Sequence, residues 1–335
     1  MNNYCYVIAE AGLNHNGDFD LAKKLIDVAA KAGADAVKFQ KRTVSKLAVK
    51  AVLDAKDDRF PEFGDTYRQI REKHEFDSQQ YSVLKEYSEK HGLDFIVTAF
   101  DVEAVDFLLS VGVDKFKLAS HSLTNIELLK YLSKKNKDVI LSTGMSSIDE
   151  IDTAVKIFEE SDSSLKLMHC ISSYPTPFEQ CNMSLLLKLK KRYKLPIGYS
   201  GHEIGFLPTL VAVSMGAELV ERHYTLDKKM IGFDHKMSLE PDELNEMIGS
   251  IRSINIIKGS ENKVVSETEW ITRKKYHVSI ASIKKIKKGS TLVEAMITYR
   301  NPGTGIPAKD LEKILNKIVS VDIPADVLLT MDMFE

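Results

Sequence analysis

The sequence predicts an α/β fold, namely a (β/α)8 (TIM) barrel followed by a small C-terminal domain. Short apolar runs alternate with amphipathic helical patterns from the N-terminus to about residue 256, and the alternation then stops. Parallel strands need helical crossovers, and eight such units over about 250 residues match a barrel of this type. A doubly wound open sheet is the alternative. It normally carries a glycine-rich loop after its first strand, and AEAGLNHNG is not such a loop.

Each element of the barrel has its own signal. Segments such as FDLAKKLIDVAAKAG repeat apolar residues every three or four positions, which is the period of a helix. Gly33, Gly92 and Gly216 follow such segments, where helices commonly end in glycine. The eight strand-like runs are YCYVIAEAG, AVKFQ, FIVTA, KFKLAS, VILSTG, LKLMHC, PIGYSG and LVERH.

The pattern divides the chain into three parts. We predict a barrel domain at residues 1–260, a polar linker at 261–275 and a small mixed domain at 276–335. The last is too small to bury a large core and is expected to pack against another surface.

Composition excludes several functional classes. The 335 residues carry a net charge of −2, so we expect neither nucleic acid nor a membrane surface as a partner. Apolar runs fall short of the roughly 20 residues of a membrane span, and we see no signal peptide. Three cysteines, Cys5, Cys170 and Cys181, suggest reduced thiols and a cytoplasmic protein.

Polar side chains are concentrated where the predicted strands end, which is the catalytic face of such barrels. Buried lysines are costly without an accompanying anion, so two of them at strand ends predict a phosphate or carboxylate site with nearby serine hydroxyls. The strand-end residues are Glu10, Lys38, Gln40, Thr98, Lys117, Ser120, Ser142, Thr143, His169, Ser200, His202, Glu221 and His223.

Two histidines lie at or just past the last two strands. Adjacent parallel strands are about 4.8 Å apart, so His202 and His223 could share one divalent cation. A lone histidine is more often structural, but the pair favours a metal site. With oxygen ligands completing the shell, Mn²⁺ is favoured, and Mg²⁺ or Co²⁺ are alternatives. Asp234, in the loop after the eighth strand, is expected to reach over the site.

Several segments together resemble the sialic acid synthase family. They include IAEAGLNHNGDFDLAKKLIDVAAKAGADAVKFQ, VILSTGMSSIDEI, MHCISSYPTPFE, GYSGHE, ERHYTLDK and GFDHKMSLEPDEL. The region from YHVSIASIKK to NPGTGI resembles that family's C-terminal antifreeze-like, or SAF, domain. The resemblance implies condensation of phosphoenolpyruvate with a sugar aldehyde, giving a 2-keto-3-deoxy acid and phosphate.

The resemblance also implies roles for individual residues. Glu10 would lie near the metal and the sugar aldehyde, and His202 and His223 would bind the metal. Asp234 would contact the sugar. A domain-swapped homodimer is implied, in which the small domain caps the partner's barrel with an arginine. Phosphoenolpyruvate would be held by Lys38 and Lys117, helped by Thr98, Ser120, Ser142 and Ser200, with Gln40 and Tyr174 in the substrate pocket.

This sequence departs from the family pattern in three places, of which Ser172 in the sixth loop is a mild change. After the fourth strand, His121 and Ser122 replace a glycine and an acid that contacts the sugar, which predicts a different acceptor. The arginine near PGTG is Arg300, one position early, with Asn301 in its place. Two other functions stay open: an aldolase or lyase with Lys38 or Lys117 as a Schiff base, and a sugar-binding protein without catalysis.

Overall fold

Eight parallel strands form a closed barrel in which each strand pairs with its neighbours in chain order. The computed structural model describes residues 4–335. The (β/α)8 prediction is therefore confirmed, and the open-sheet alternative is wrong. The strands are β1 Tyr6–Gly12, β2 Ala36–Lys41, β3 Asp94–Ala99, β4 Lys115–Leu118, β5 Asp138–Ser142, β6 Ser164–Cys170, β7 Ile197–Gly201 and β8 Leu219–His223.

Helices connect the strands and cover the barrel. Gly33 follows α1 in the left-handed region at φ 79°, as predicted for a helix C-cap. Pro241 begins α11, as its position after SLE predicts. The barrel helices are α1 Phe19–Ala32, α2 Val44–Leu47, α3 Lys50–Leu53, α4 Tyr67–Lys73, α5 Ser78–Lys90, α6 Val102–Ser110, α7 Ile126–Ser133, α8 Ile148–Glu159, α9 Ser184–Tyr193, α10 Leu207–Ser214 and α11 Pro241–Ile257.

The barrel interior has an apolar layer beneath a polar one. Side chains two residues apart on a strand point the same way. A strand with one side chain in the lower layer therefore places its next inward-facing side chain in the layer above, nearer the C-terminal end of the strand. The buried lower layer consists of Ile8, Ala36, Ile96, Ile140, Met168 and Leu219. Two residues further along the same strands come Glu10, Lys38, Thr98, Ser142, Cys170 and Glu221.

Strand register sets the neighbours within the polar layer. Glu10 on β1 is paired in register with Lys38 on β2 and with His223 on β8. On the far side of β3, Thr98 is in register with Lys117. These pairings follow from hydrogen bonding between backbones, so they fix which polar side chains can meet.

The described chain divides into two compact units, and the boundary along the chain lies between Gly259 and Ser260. The second unit contains helix α12 (Glu267–Tyr276) and an antiparallel pair of strands, β9 (Ser279–Ser282) and β10 (Ile297–Arg300). The α12 helix occupies most of the region predicted as a linker and ends one residue beyond it; its polar sequence gave no apolar helical period. A buried apolar cluster of this unit comprises Ile280, Ile286, Leu292, Ile297, Ile306, Ile314, Val319, Ile323, Leu329 and Phe334.

Over residues 4–335, none of the helices combines the length and the apolar character needed to cross a membrane.

Candidate active site

A cavity of about 240 Å³ opens at the C-terminal ends of the barrel strands. Most side chains proposed from the sequence converge on it, although they come from all eight strands and the loops that follow them. Those that line it are Glu10, Lys38, Gln40, Thr98, Lys117, Ser120, Ser142, Tyr174, Ser200, His202 and His223.

The floor of this cavity is a buried array of alternating charges. Lys38 Nζ lies 2.8 Å from Glu10 Oε2 and 3.6 Å from Glu221 Oε1. Lys117 Nζ lies 3.4 Å from Glu221 Oε2. Because two ammonium groups face two carboxylates, the four side chains together carry no net charge.

Burial and neighbouring charge act in opposite directions on this array. Burial alone would lower the pKa of Lys38, but Glu10 and Glu221 outweigh it and raise that pKa. Lys117 has fewer acidic neighbours, so burial lowers its pKa despite Glu221. Burial opposes ionisation of Glu221, yet Lys117 and Lys38 overcome it and lower the pKa of that carboxyl. The directions for Lys38 and Glu221 favour their charged forms, whereas the direction for Lys117 favours the neutral amine.

Glu221 is the site residue that the sequence analysis did not assign a role. It stands two positions before His223 on β8, so both side chains face the interior. An acid inside a barrel strand, LVERH, was the available signal. Its carboxylate contacts both lysines and also accepts a hydrogen bond from Ser200 Oγ at 3.2 Å.

Hydroxyl groups surround the lysines. Thr98 Oγ1 accepts a hydrogen bond from Lys38 Nζ at 2.9 Å, and Ser120 Oγ accepts one from the Gly144 backbone amide at 3.0 Å. Ser142 Oγ is buried and has no hydrogen-bond partner among the described residues. A buried hydroxyl without a partner is costly, which indicates that a ligand or water satisfies it.

The two predicted metal histidines are neighbours. The ring centroids of His202 and His223 lie 5.7 Å apart. His202 Nδ1 lies 2.8 Å from the Ile171 carbonyl oxygen, so Nδ1–H donates there and the Nε2 lone pair is free. Burial lowers the pKa of His223, which favours the neutral imidazole that binds metals.

His202 and His223 fit a site for a divalent cation in which the protein supplies few of the ligands. His223 Nδ1 is buried without a hydrogen-bond partner, and Asp234 Oδ2 lies 3.8 Å from it. Within residues 4–335, however, no group of three or more His, Cys, Asp or Glu side chains is arranged to bind a metal. Further ligands would therefore have to come from water or substrate.

A second cavity of about 440 Å³ adjoins the first, since both are lined by Gln40, Tyr174 and His223. Asp234 lines this second cavity, at the start of a short 3₁₀ turn. Gln40 donates from Nε2 to Glu10 Oε1 at 2.6 Å, and the Tyr174 ring lies 4.1 Å from the ring of His202. These two side chains thus connect the charge array and the histidine pair to the larger space.

Two predicted features lie elsewhere. Arg300 belongs to the second unit, where its Nε lies 3.2 Å from Asp326 Oδ1. At the family's acid position, Ser122 is buried and lines neither cavity, and its Oγ has no partner among the described side chains and backbone. The adjacent His121 lines both cavities, so it is the replaced residue of this loop that borders them.

Charged groups buried at the C-terminal ends of barrel strands define a barrel enzyme that acts on an anionic substrate. The chain belongs to the NeuB family, whose model matches residues 25–263, and the SAF domain model matches residues 277–335. Enzymes of this family condense phosphoenolpyruvate with a sugar.

Individual relatives are similar over nearly the whole chain. The N,N'-diacetyllegionaminic acid synthase of Campylobacter jejuni is 39% identical, covering 96% of this chain and 98% of its own. The human N-acetylneuraminate-9-phosphate synthase is 34% identical, with 96% and 90% covered. The crystal structure of the N-acetylneuraminic acid synthetase of Leptospira borgpetersenii is 38% identical with a TM-score of 0.70, covering 81% of this chain and 90% of that one.

Proposed function

We propose that this chain condenses phosphoenolpyruvate with a sugar aldehyde in the 240 Å³ cavity, using the residues that the sequence identified. The observation that carries the proposal is the buried array of Lys38, Glu10, Glu221 and Lys117. An array of paired charges in a closed, apolar-walled barrel is costly, and a polyanionic substrate at the lysines gives a reason for it.

The lysines and hydroxyls would hold the phosphate and carboxylate of phosphoenolpyruvate. Lys38 and Lys117 provide charge-assisted hydrogen bonds, and Thr98, Ser120, Ser142 and Ser200 provide hydroxyls around them. The array has no net charge, so lysines alone do not compensate a polyanion. Additional positive charge beside the lysines would favour binding of the polyanion. The imidazoles of His202 and His223 could supply it by binding a cation.

His202 and His223 are proposed to hold a divalent cation, with Mn²⁺ favoured and Mg²⁺ or Co²⁺ as alternatives. When bound, such a cation supplies positive charge for the aldehyde oxygen. The Ile171 carbonyl would fix the His202 ring by accepting its Nδ1–H, which leaves Nε2 as the ring atom that would bind the cation.

In the reaction, C3 of phosphoenolpyruvate attacks the aldehyde carbon and forms the new C–C bond. Water adds at C2, and phosphate leaves by cleavage of its C2–O bond. Glu10, held by Gln40 at 2.6 Å, is proposed to orient the aldehyde or the water. Holding two substrates in one cavity supplies part of the acceleration by removing the entropy of their encounter.

We also propose a domain-swapped homodimer in which Arg300 acts at the partner's barrel. Apolar side chains are strongly exposed at the end of α11 and along α12, including Ile256, Ile257 and Ile271 at 81%, 79% and 73%. Exposed apolar side chains on each of the two units are typical of association surfaces. The free cysteines Cys5, Cys170 and Cys181 agree with a reducing, cytoplasmic location.

A Schiff-base aldolase is the second candidate, because burial lowers the pKa of Lys117 and thereby favours a nucleophilic amine. The deciding experiment measures phosphate release from phosphoenolpyruvate with a panel of aldoses and N-acetylated hexosamines, before and after chelation and Mn²⁺ addition. Sugar-dependent release supports condensation. Trapping of a keto acid on Lys117 by borohydride, without phosphate release, would support the aldolase.

A further inference from the structure

Two arginines face the 440 Å³ cavity beside the reaction site. Arg42 follows β2 directly, and Arg71 lies in α4, so the barrel and its second crossover bring them together. Neither was singled out by the sequence pattern. They line the same cavity as Asp234 and His121, which places them on the acceptor side of the site.

Arg42 is held in place by its neighbours, but not all of its N–H donors have a hydrogen-bond partner. Its residue is 8% exposed, and its guanidinium carbon lies 3.9 Å from the ring centroid of Phe100. Phe100 in turn stacks on His121, with centroids 4.9 Å apart and planes 19° apart. Arg42 Nη2 donates to Gln40 Oε1, while Nη1 is buried with no hydrogen-bond partner among the described residues.

Arg71 has the same character. Its guanidinium carbon lies 4.3 Å from the ring centroid of Phe233 and 5.0 Å from that of Tyr67. Its Nε is buried and has no hydrogen-bond partner within the described chain. Aromatic rings satisfy the faces of a guanidinium, but they leave the N–H donors at its edge available.

Carboxylates compensate these arginines only weakly. Over residues 4–335, neither guanidinium has a carboxylate within 4.0 Å. Glu75 accepts from the Arg42 backbone amide, but its side chain is paired with Lys41 at 2.8 Å. Asp234 lines the cavity beside His223. Burial lowers the pKa of Arg42 to about 10, and the nearby positive charge of Arg71 lowers it further.

We propose that Arg42 and Arg71 bind an anionic group, a phosphate or a carboxylate, carried by the acceptor sugar away from its aldehyde. The proposal rests on the proposed function, since the cavity joins the reaction cavity at Gln40, Tyr174 and His223. Guanidinium groups suit such anions because their N–H donors pair with two oxygens at once. The substrate class is therefore an acidic or phosphorylated sugar aldehyde.

The test compares matched acceptors. Each hexose and N-acetylhexosamine of the panel is supplied as the neutral sugar, its 6-phosphate and its uronic acid. Arg71→Gln is the main variant, because Arg71 is only partly buried. Arg68→Gln is the matched control on the same helix. Arg68 lines neither cavity, and its Nε lies 2.7 Å from Asp54 Oδ1. Arg42→Lys tests the buried partner, with thermal melts checking that each variant folds.

We expect wild type to prefer one anionic form of a sugar over its neutral form. Arg71→Gln should lower kcat/KM for that form by roughly 10- to 150-fold, the value of one charge-assisted hydrogen bond. The KM for phosphoenolpyruvate and the turnover of neutral sugars should stay as in Arg68→Gln. The anion whose use falls further, phosphate or carboxylate, identifies the natural group.

Equal use of neutral and anionic sugars by wild type, or equal behaviour of Arg71→Gln and Arg68→Gln, would overturn the anion site while leaving condensation intact. No phosphate release with any sugar would count against the proposed function instead. In that case, glucose 6-phosphate is titrated calorimetrically into wild type and Arg71→Gln. Binding lost in the variant supports the site, and absence of binding to wild type overturns it.

Discussion

Lys38 Nζ and Glu10 Oε2 lie 2.8 Å apart, and their side chains are 3% and 1% exposed. Such a buried pair is tolerated when its remaining donors and acceptors are also satisfied, here by Thr98 and Gln40. The arrangement pre-positions an ammonium group for an anion without leaving it isolated before substrate arrives.

Removing either lysine should weaken phosphoenolpyruvate binding. For Lys38→Met and Lys117→Met, we expect the KM for phosphoenolpyruvate to rise by about 10- to 150-fold, because one charge-assisted bond is lost. Steady-state kinetics with phosphate detection measures it. Lys115→Met is the control, since Lys115 begins β4 at the opposite end of the strand and pairs with Asp94. An unchanged KM in both Lys38 and Lys117 variants would show that the anion binds elsewhere.

The partners Glu221 and Lys117 should be coupled in stability. Glu221→Leu leaves Lys117 buried without its nearest carboxylate and should reduce the free energy of unfolding by about 3–5 kcal/mol. Adding Lys117→Leu to this variant should restore a substantial part of the lost free energy of unfolding, because the uncompensated charge of Lys117 is then removed. Denaturant titration of the four proteins of this cycle measures the coupling. Strictly additive losses would mean that the two groups do not interact.

The two histidines should be required for metal binding before substrate is present. His202→Ala and His223→Ala should each lose binding of Mn²⁺, followed by electron paramagnetic resonance, and should lose metal-dependent turnover. His169→Gln is the control, because His169 Nε2–H donates to the Cys181 carbonyl oxygen at 2.7 Å and His169 does not line the cavity. Full activity of either alanine variant in the presence of a chelator would exclude this metal site.

Residues 260–335 should be needed for activity and should act on another subunit. A chain truncated after Gly259 should fold but be inactive, because Arg300 is absent. Mixing it with His223→Ala should restore some activity, since a mixed dimer joins an intact barrel to an intact second unit. Light scattering follows assembly. A truncated chain that is fully active as a monomer would contradict the swapped arrangement.

His121 should influence the choice of acceptor. Plain N-acetylmannosamine is expected to be a poor substrate for wild type, and His121→Gly should change the KM for the acceptor by roughly 10-fold. The physical reason is loss of the stacked ring beside Phe100. The KM for phosphoenolpyruvate should not change. Ser122→Ala is the control, because Ser122 lines neither cavity. Efficient use of N-acetylmannosamine by wild type would refute the expectation.

The sequence by itself determined the barrel and most side chains that line its mouth. Alternation of strand and helix periods specifies the fold. Because side chains on a strand alternate between two faces, Glu10 lies on the same face as Ile8, and Glu221 on the same face as Leu219. Strand ends converge in any such barrel, so residues at those ends could be collected without coordinates.

Only the tertiary structure decided which of these groups meet. Pairing of Glu221 with both lysines depends on distances across the barrel, and the approach of Arg42 to Arg71 depends on where α4 packs against α2 and α3 in the crossover after β2. At the 3₁₀ turn Ser120–Ser122, only the structure showed that Ser122 is buried and lines neither cavity, whereas His121 lines both. Local periodicity sets which face a side chain occupies, whereas loop conformation and packing set what it touches.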